Sequence, residues 1–379
     1  MPLKVTDTGS DSEVALDKIE FLDENDVRYF RVSNSENFGV NFQYIPIATS
    51  NWDKEKYEIY LLENSYLNAE NDVFEVYEDT ISDERLGWIF PITILESNEN
   101  DFRDFKNLNH YKYVAYQKLL ELNIKISARD NANEFLKLSD VFANSIICIL
   151  CKNTIQKIND FKLENYLLSL YKYGYLLLGD VPKSKGIYDR TEFVRQMRQS
   201  ARVKLIKANF DITANDFTKS LFQEHLLQSE SHIIRFIFLY QIIEHFIQIE
   251  FDTLFQIHLD DYQNNRLAKN DLRENIINSS RERVIIQSVF NPITIRQELK
   301  EEFISECDFL FADIGLISKN SFTDKIYDIR NLVTHRLREL TTKSESLNRI
   351  TEIFERIIVD LLINYSTENA SATVEADGV

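Results

Sequence analysis

The sequence predicts an α+β protein: a β-rich N-terminal domain followed by a mostly all-α C-terminal part. Three observations carry that expectation. Residues 1–104 hold six short runs rich in aromatic and β-branched residues, separated by polar clusters, which is the pattern of antiparallel strands. From about residue 105 the apolar period lengthens to that of a helix. The 379 residues include only 8 Gly and 5 Pro, a scarcity that favours long helices over a loop-rich sandwich. With 44% apolar and 27% charged residues the composition is that of a globular protein, with room for two or three cores.

Residues 1–12 are polar and predict a frayed tail. Strands are expected at 14–22, 27–32, 39–48, 57–62, 73–77 and 88–95. Alternation is clearest in Val40-Asn-Phe42-Gln-Tyr44 and around Val73–Tyr77. Helices are expected at 105–125, 132–159, 163–178, 190–208 and 214–228, then a long one at 229–259 behind a Gln-Ser-Glu-Ser junction that can cap it. Residues 261–280 are polar and predict a solvated helix or connection. Pro292 fits the first turn of a helix at 293–307. Residues 309–317 are short and apolar, with a stop near Gly315. Helices at 321–340 and 344–365 complete the chain, the latter with one apolar stripe of Ile350, Ile353, Phe354, Ile357 and Ile358. Residues 366–379 lack that pattern and predict disorder. The domain boundaries that follow are 1–104, a helical middle region at 105–216, a helical bundle at 217–365, and the tail.

The net charge of -18 is unevenly spread: residues 1–104 hold 24 Asp+Glu against 8 Lys+Arg. So dense a set of carboxylates repels nucleic acid, which leaves any such partner to the C-terminal part. Three Cys in a long chain suit a reducing compartment and not a disulfide framework. The N-terminus lacks a basic segment followed by an apolar one, and the most apolar run, 236–249, is too short and too polar for a membrane span. The expectation is a cytoplasmic protein with no membrane partner.

Cys148-Ile-Leu-Cys151 has redox or half-zinc spacing, but Cys307 is the only other thiol, so two buried thiols on a helix are expected. His232, His245 and His258 recur every 13 residues. That interval does not keep them on one helix face, and capping or core-edge roles are expected. Residues 183–207 carry eight basic and two acidic residues, with Arg195, Arg198 and Arg202 at i, i+3 and i+7. They predict a helical basic stripe, which either tracks phosphates of RNA or docks on the acidic N-terminal domain. Glu244 sits near Tyr240 on the apolar long helix. It is either a surface carboxylate or one aimed at Arg330 or His335 on a packed helix.

The segment 324–340 carries the chemistry. Arg330 is a permanent planar cation suited to phosphate, and His335 is the side chain that takes and gives protons near neutral pH. A loose Arg-to-His spacing alone is cheap, since Arg103 and His110 show it too. Here Asn331 follows the Arg directly, Leu332 and Val333 lie between, and an amphipathic terminal helix follows. In that context the segment resembles the HEPN superfamily (higher eukaryote and prokaryote nucleotide-binding domains), over about residues 217–365. The likeness is nearest to the bacterial members of defence and abortive-infection systems. Arg330, Asn331 and His335 match the family's Arg-(polar)-x3-His motif, and Tyr240 and Glu244 match a polar pair on an earlier helix. Leu337 stands where members paired with a nucleotidyltransferase antitoxin tend to have Tyr, which disfavours that subtype. The resemblance implies an all-helical bundle, metal-independent cleavage of RNA, and a homodimer with two motifs facing across one cleft. It also implies an effector role answering a phage or cellular trigger.

The residues support that chemistry directly. RNA carries its own nucleophile, the 2′-hydroxyl. His335 can act as general base or acid, and Arg330 can hold the non-bridging oxygens. Asn331, one turn before His335 on the same face, can orient the imidazole. Arg330 and His335 are five residues apart, about 140° around an ideal helix, which a dimer accommodates. No cofactor is implied: the chain offers no metal-ligand cluster, no Gly-rich phosphate loop and no nucleophilic Ser or Cys in a recognisable setting. Two other functions compete: a non-catalytic HEPN module binding nucleotide or protein, and a helical adaptor whose acidic domain is the working surface.

Overall fold

The computed structural model describes residues 3–7, 12–24, 27–36, 38–45, 51–67, 72–81, 83–97, 105, 107–122, 125–128, 134–177, 191–211, 215–291, 293–317, 321–340 and 344–365. They form an α+β protein of two compact units. Among the described residues, the first unit takes those up to 163 together with 173–177 and 191–206, and the second takes 164–172 and 207–365.

Among its described residues the first unit contains three sheets. β1 (Leu3–Asp7) pairs antiparallel with β2 (Ser12–Leu16), so the expected frayed tail is a strand from Leu3 to Asp7. β3 (Lys18–Glu24), β4 (Val27–Ser33) and β5 (Gly39–Gln43) form an antiparallel meander. β6 (Tyr57–Glu63), β7 (Phe74–Glu78) and β8 (Gly87–Pro91) belong to the largest sheet, and Ile92–Glu96 continues as a 3-10 turn. α1 (Leu108–Leu120) packs over that sheet, and the Tyr116 hydroxyl donates to the Gln43 carbonyl at 2.6 Å. Tyr113 and Tyr116 join Phe30 and Tyr44 in an aromatic cluster with centroids 5.0–6.1 Å apart. Burial of such rings supplies most of the core's driving force.

The expected helical middle region is where the structure departs most from the sequence reading. β9 (Lys125–Ala128) pairs parallel with β1, and β10 (Phe135–Leu136) pairs parallel with β5. After the short α2 (Leu138–Phe142), the expected helix at 132–159 is instead β11 (Ile146–Cys151), inserted between β6 and β8, followed by the single turn α3 (Lys152–Ile155). Ile-Ile-Cys-Ile-Leu-Cys is a continuous apolar, β-branched run. A central strand covered on both faces reads that way. Cys148 therefore lies on a strand and not on a helix, with its thiol pushed up by burial. Close to it, a Cβ on Gly87 would come within 1.9 Å of the Ile149 carbonyl oxygen, so only Gly admits this strand pairing. α4 (Leu167–Lys172) and β12 (Leu176–Leu177) replace the expected helix at 163–178. α5 (Thr191–Ser200) ends before β13 (Arg202–Leu205), which lies parallel to β7. The order of the six-stranded sheet is β12-β6-β11-β8-β7-β13.

The second unit is all-helical among its described residues. α6 (Asp216–Ser220) runs through a π-turn, Leu221–His225, into α7 (Leu226–Gln228). The long α8 (His232–Gln263) starts at Ser231, whose Oγ accepts from the Ile234 amide, as the junction's composition predicts. α9 (Lys269–Ser279) and α10 (Glu282–Phe290) both pack on it. α11 (Gln297–Asp313) begins later than 293 and continues past Cys307 without a break; Pro292 lies outside the described residues. Its end is fixed at Gly315 (φ 70°), with the Leu316 amide donating to the Phe311 carbonyl at 2.8 Å. That is the six-to-one bond of a Schellman stop. α12 (Phe322–His335), the turn α13 (Leu337–Leu340) and α14 (Ser344–Asn364) complete the unit. The expected tail at 366–379 lies outside the described residues.

Ile350, Ile353, Phe354, Ile357 and Ile358 of α14 are all buried, as their spacing predicts. Phe354 meets Phe236 of α8 at 4.8 Å and Phe303 of α11 at 5.9 Å. A charged group threads this core. Arg235 and Glu355, each 1% exposed at the side chain, form an ion pair, and the Tyr171 hydroxyl donates to Glu355 at 2.5 Å. Lys172 and Arg296 pair with Asp360 at 2.9 and 3.0 Å. α4 is thereby fastened to α14. Among the described residues, no helix is long and apolar enough to cross a membrane.

Candidate functional site on the twelfth helix

α12 begins at Ser321, whose Oγ accepts from the Asp324 amide at 3.1 Å and donates to its carboxylate at 2.7 Å. This closes the first helical turn. Lys325, Ile326, Ile329, Leu332 and Val333 form its buried face. The rest of the helix meets α8 and α10 through charges. Arg283 at the start of α10 pairs with Asp324 at 3.2 Å and with Asp328, and lies 4.6 Å from the centroid of the Tyr327 ring. A planar cation with two carboxylates and an aromatic face fixes the two helices in register.

Arg330 sits one turn further on. Its Nε lies 3.6 Å from Glu282, its Nη2 3.9 Å from Glu244, and its guanidinium 5.7 Å from the centre of the Tyr240 ring. The Tyr240 hydroxyl donates to Glu282 at 2.7 Å, and burial first, then that carboxylate, pushes its pKa well up. Of the two expected readings of Glu244, the structure shows the carboxylate facing Arg330, although the side chain is half exposed. The carboxylates stand at ion-pair distance and not in short hydrogen bonds. The short bond of the Arg330 guanidinium, 3.1 Å from Nη1, goes to Oδ1 of Asn331.

Asn331 and His335 line a cavity of about 260 Å³ between the end of α11 and the second half of α12. Its apolar walls are Phe311, Leu316, Ile317 and Leu332, and Asp328 and Arg336 add charge. His335 is the last residue of α12 and is exposed. Arg330 does not line this cavity; it belongs to the α8–α10 side, as the five-residue offset predicts. Asn331, expected to orient the imidazole, is engaged by Arg330 instead. It shares a face with His335 and joins the two sides of the helix.

The basic stripe is a correction in its geometry, while its partners are carboxylates of residues 1–104, the second of its two expected readings. Arg195 and Arg198 are on α5, but the helix ends at Ser200 and Arg202 is on β13. The positive φ of Ala201, 54°, marks the break. Arg198 grips Asp72 with two bonds, at 2.8 and 3.0 Å, and Asp72 is 3% exposed. Arg202 lies over Tyr77 at 4.6 Å and 3.7 Å from Glu75. Arg198 and Arg202 thus pair within the first unit, and the three side chains do not share one helical face. Arg195, Arg198 and Tyr66 do border a separate cavity of about 440 Å³.

Two of the three histidines spaced along α8 bond neighbouring polar side chains. His245 bonds Asn215 at 3.1 Å and His258 lies 3.4 Å from Ser279. Among the described residues, no group of three or more His, Cys, Asp or Glu is placed to hold a metal ion. Sequence reasoning missed Glu282, Arg283 and Asp328. The run Arg281-Glu-Arg283 is charged in sequence, but no periodicity says that it faces α12, 45 residues away. No family model matches the chain, and no curated protein and no solved structure matches it either.

Proposed function

We propose that the chain is a metal-independent RNA endonuclease of the HEPN type, acting as a homodimer in a toxin or defence role. The observation that carries the reading is Asn331. It accepts from Arg330 on one side of α12 and lines the cavity with His335 on the other. A phosphate binder and a proton carrier are thus coupled across one helical turn. The 2′-oxygen of the substrate attacks the adjacent phosphorus as an imidazole takes its proton. The phosphorus–O5′ bond breaks, and an imidazole gives the leaving oxygen its proton. The products are a 2′,3′-cyclic phosphate and a 5′-hydroxyl. Arg330 holds the non-bridging oxygens as charge builds, and the approaching phosphoryl group displaces the half-exposed Glu244 from it. A second copy supplies the second imidazole and relaxes the angular offset between Arg330 and His335.

The test is cleavage of end-labelled RNA by the full chain in excess chelator. Arg330→Ala and His335→Ala are each expected to lower the rate about 10²–10⁴-fold, with the circular dichroism spectrum unchanged. Equal RNA loss with wild type and His335→Ala, or products ending in 3′-hydroxyl, would remove the reading. RNA that binds equally well to both without scission favours the non-catalytic module.

A further inference from the structure

The cavity lined by Tyr66, Val194, Arg195, Arg198 and Gln199 lies wholly within the first unit and plays no part in the reading of α12. Its volume, about 440 Å³, falls inside the usual span of about 300–1,000 Å³ for small-ligand sites. Phe193, Val194 and Met197 of α5 are buried. The same helix carries Arg195, Arg198 and Gln199 at i, i+3 and i+4, on one face. The walls are therefore a valine, an aromatic ring and the methylene stems of two arginines, with polar groups at their tips. Two arginines on one cavity run against the charge of a unit whose first 104 residues hold 24 Asp+Glu and 8 Lys+Arg.

Buried polar groups that do not line the cavity hold the ones that do. The Oδ1 of Asn64 accepts from the Tyr66 amide at 3.0 Å, and its Nδ2 donates to the Tyr173 carbonyl at 3.1 Å. Asp72 accepts from Nε and Nη2 of Arg198 at 2.8 and 3.0 Å. Both walls are thus set before a ligand arrives, which lowers the ordering cost of binding. A guanidinium has five N–H donors. Asp72 takes two of them on Arg198, and the Tyr66 carbonyl accepts a third, from Nη2 at 3.4 Å. The two on Nη1 bond nothing else among the described residues, and the side chain that carries them is half exposed. Because Asp72 already neutralises this guanidinium, the cavity offers directed donors more than surplus charge. That suits a ligand with one negative charge and not two.

We propose that this cavity binds a small monocarboxylate with an apolar body. The carboxylate accepts from Nη1 of Arg198 and from Arg195, and the body lies against Val194 and the Tyr66 ring. The experiment titrates naphthoate, octanoate, naphthyl phosphate and the uncharged naphthamide into the full chain by calorimetry. Both carboxylates are expected to saturate one site, with naphthamide and naphthyl phosphate at least about tenfold weaker than naphthoate. Arg195→Gln lowers the affinity for naphthoate about tenfold and leaves that for naphthamide unchanged. Arg198→Lys keeps a cation beside Asp72 and lowers the affinity for naphthoate by a similar factor. Gln199→Trp, at an exposed position, fills the cavity and weakens every probe. Carboxylate binding weaker than about 1 mM, naphthamide binding as tight as that of naphthoate, or affinities untouched by Gln199→Trp overturns the proposal. Naphthyl phosphate binding more tightly than naphthoate overturns the choice of a monocarboxylate.

Discussion

Lys112 shows how much one side chain can oppose the fold around it. It is 5% exposed on α1, no described carboxylate pairs with it, and burial lowers its pKa from 10.5 to about 8. Below pH 8 the amine is charged in both states, and the folded state bears the full burden of desolvation. Between 8 and 10.5 the folded amine is neutral while the unfolded one still holds its proton. The unfolded state then binds more protons, so stability rises with pH across that window. Lys112→Met is therefore expected to stabilise the protein by about 1–2 kcal/mol at pH 7, where the charged amine bears the cost of desolvation. The gain should shrink toward zero at pH 10, measured as the shift in urea midpoint at the two pH values. At the candidate site the same scale is quieter. Tyr240, Glu282 and Asn331 hold Arg330 by one contact each, so its position is shared among three helices.

At the scale of the element, two glycines separate kinds of constraint. Gly315 ends α11 with φ 70°, and a Cβ there would meet nothing within 4 Å. Gly315→Ala is thus expected to carry only the left-handed backbone strain, about 1–2 kcal/mol, seen as a lowered denaturation midpoint with the structure intact. Gly87→Ala drives a Cβ into the backbone of β11. That substitution is expected to abolish native near-ultraviolet dichroism, because β8 and β11 cannot part without opening the central sheet. The same elements show what the sequence can and cannot tell. β7 is legible in it because one face is wetter than the other and the residues alternate, and β5 because its residue types alternate although four of its five residues are buried. β11 is buried on both faces, loses the period of two, and reads like a helix. β13 is four residues beside a parallel partner far back in the chain, so it borrows no signal from a neighbouring turn. At the site, Asn331 and His335 were legible through helical spacing. Glu282 and Arg283 were not, because tertiary packing alone brings α10 to α12.

At the scale of the whole molecule, the boundary read from the change of period misplaces the helical unit. α4 belongs with the helices 207–365 and not with the strands around it in sequence. Tyr171 and Lys172 complete Glu355 and Asp360, and the amides of Asn209 and Phe210 donate to the carbonyls of Ile363 and Leu362 at 3.1 and 3.3 Å. A fragment spanning 217–365 loses all of these, and each buried carboxylate that loses one such partner while keeping its arginine costs about 1.5–3 kcal/mol. It is expected to show helical dichroism without a cooperative urea transition. A tethered copy of 164–172 placed ahead of 207–365 should restore one. Cooperative unfolding of the short fragment would show that α4 is dispensable.

The fastening of α4 to α14 also sets an order of events during synthesis. Lys172 and its partner Asp360 are 188 residues apart. At about 5–20 residues per second, a ribosome needs roughly 10–40 s to deliver α14 after α4 has emerged. Throughout that interval Leu167, Leu168, Leu170 and Tyr171, all buried in the finished protein, wait exposed on the nascent chain. That short helix is therefore a stretch a holding chaperone can meet until α14 arrives.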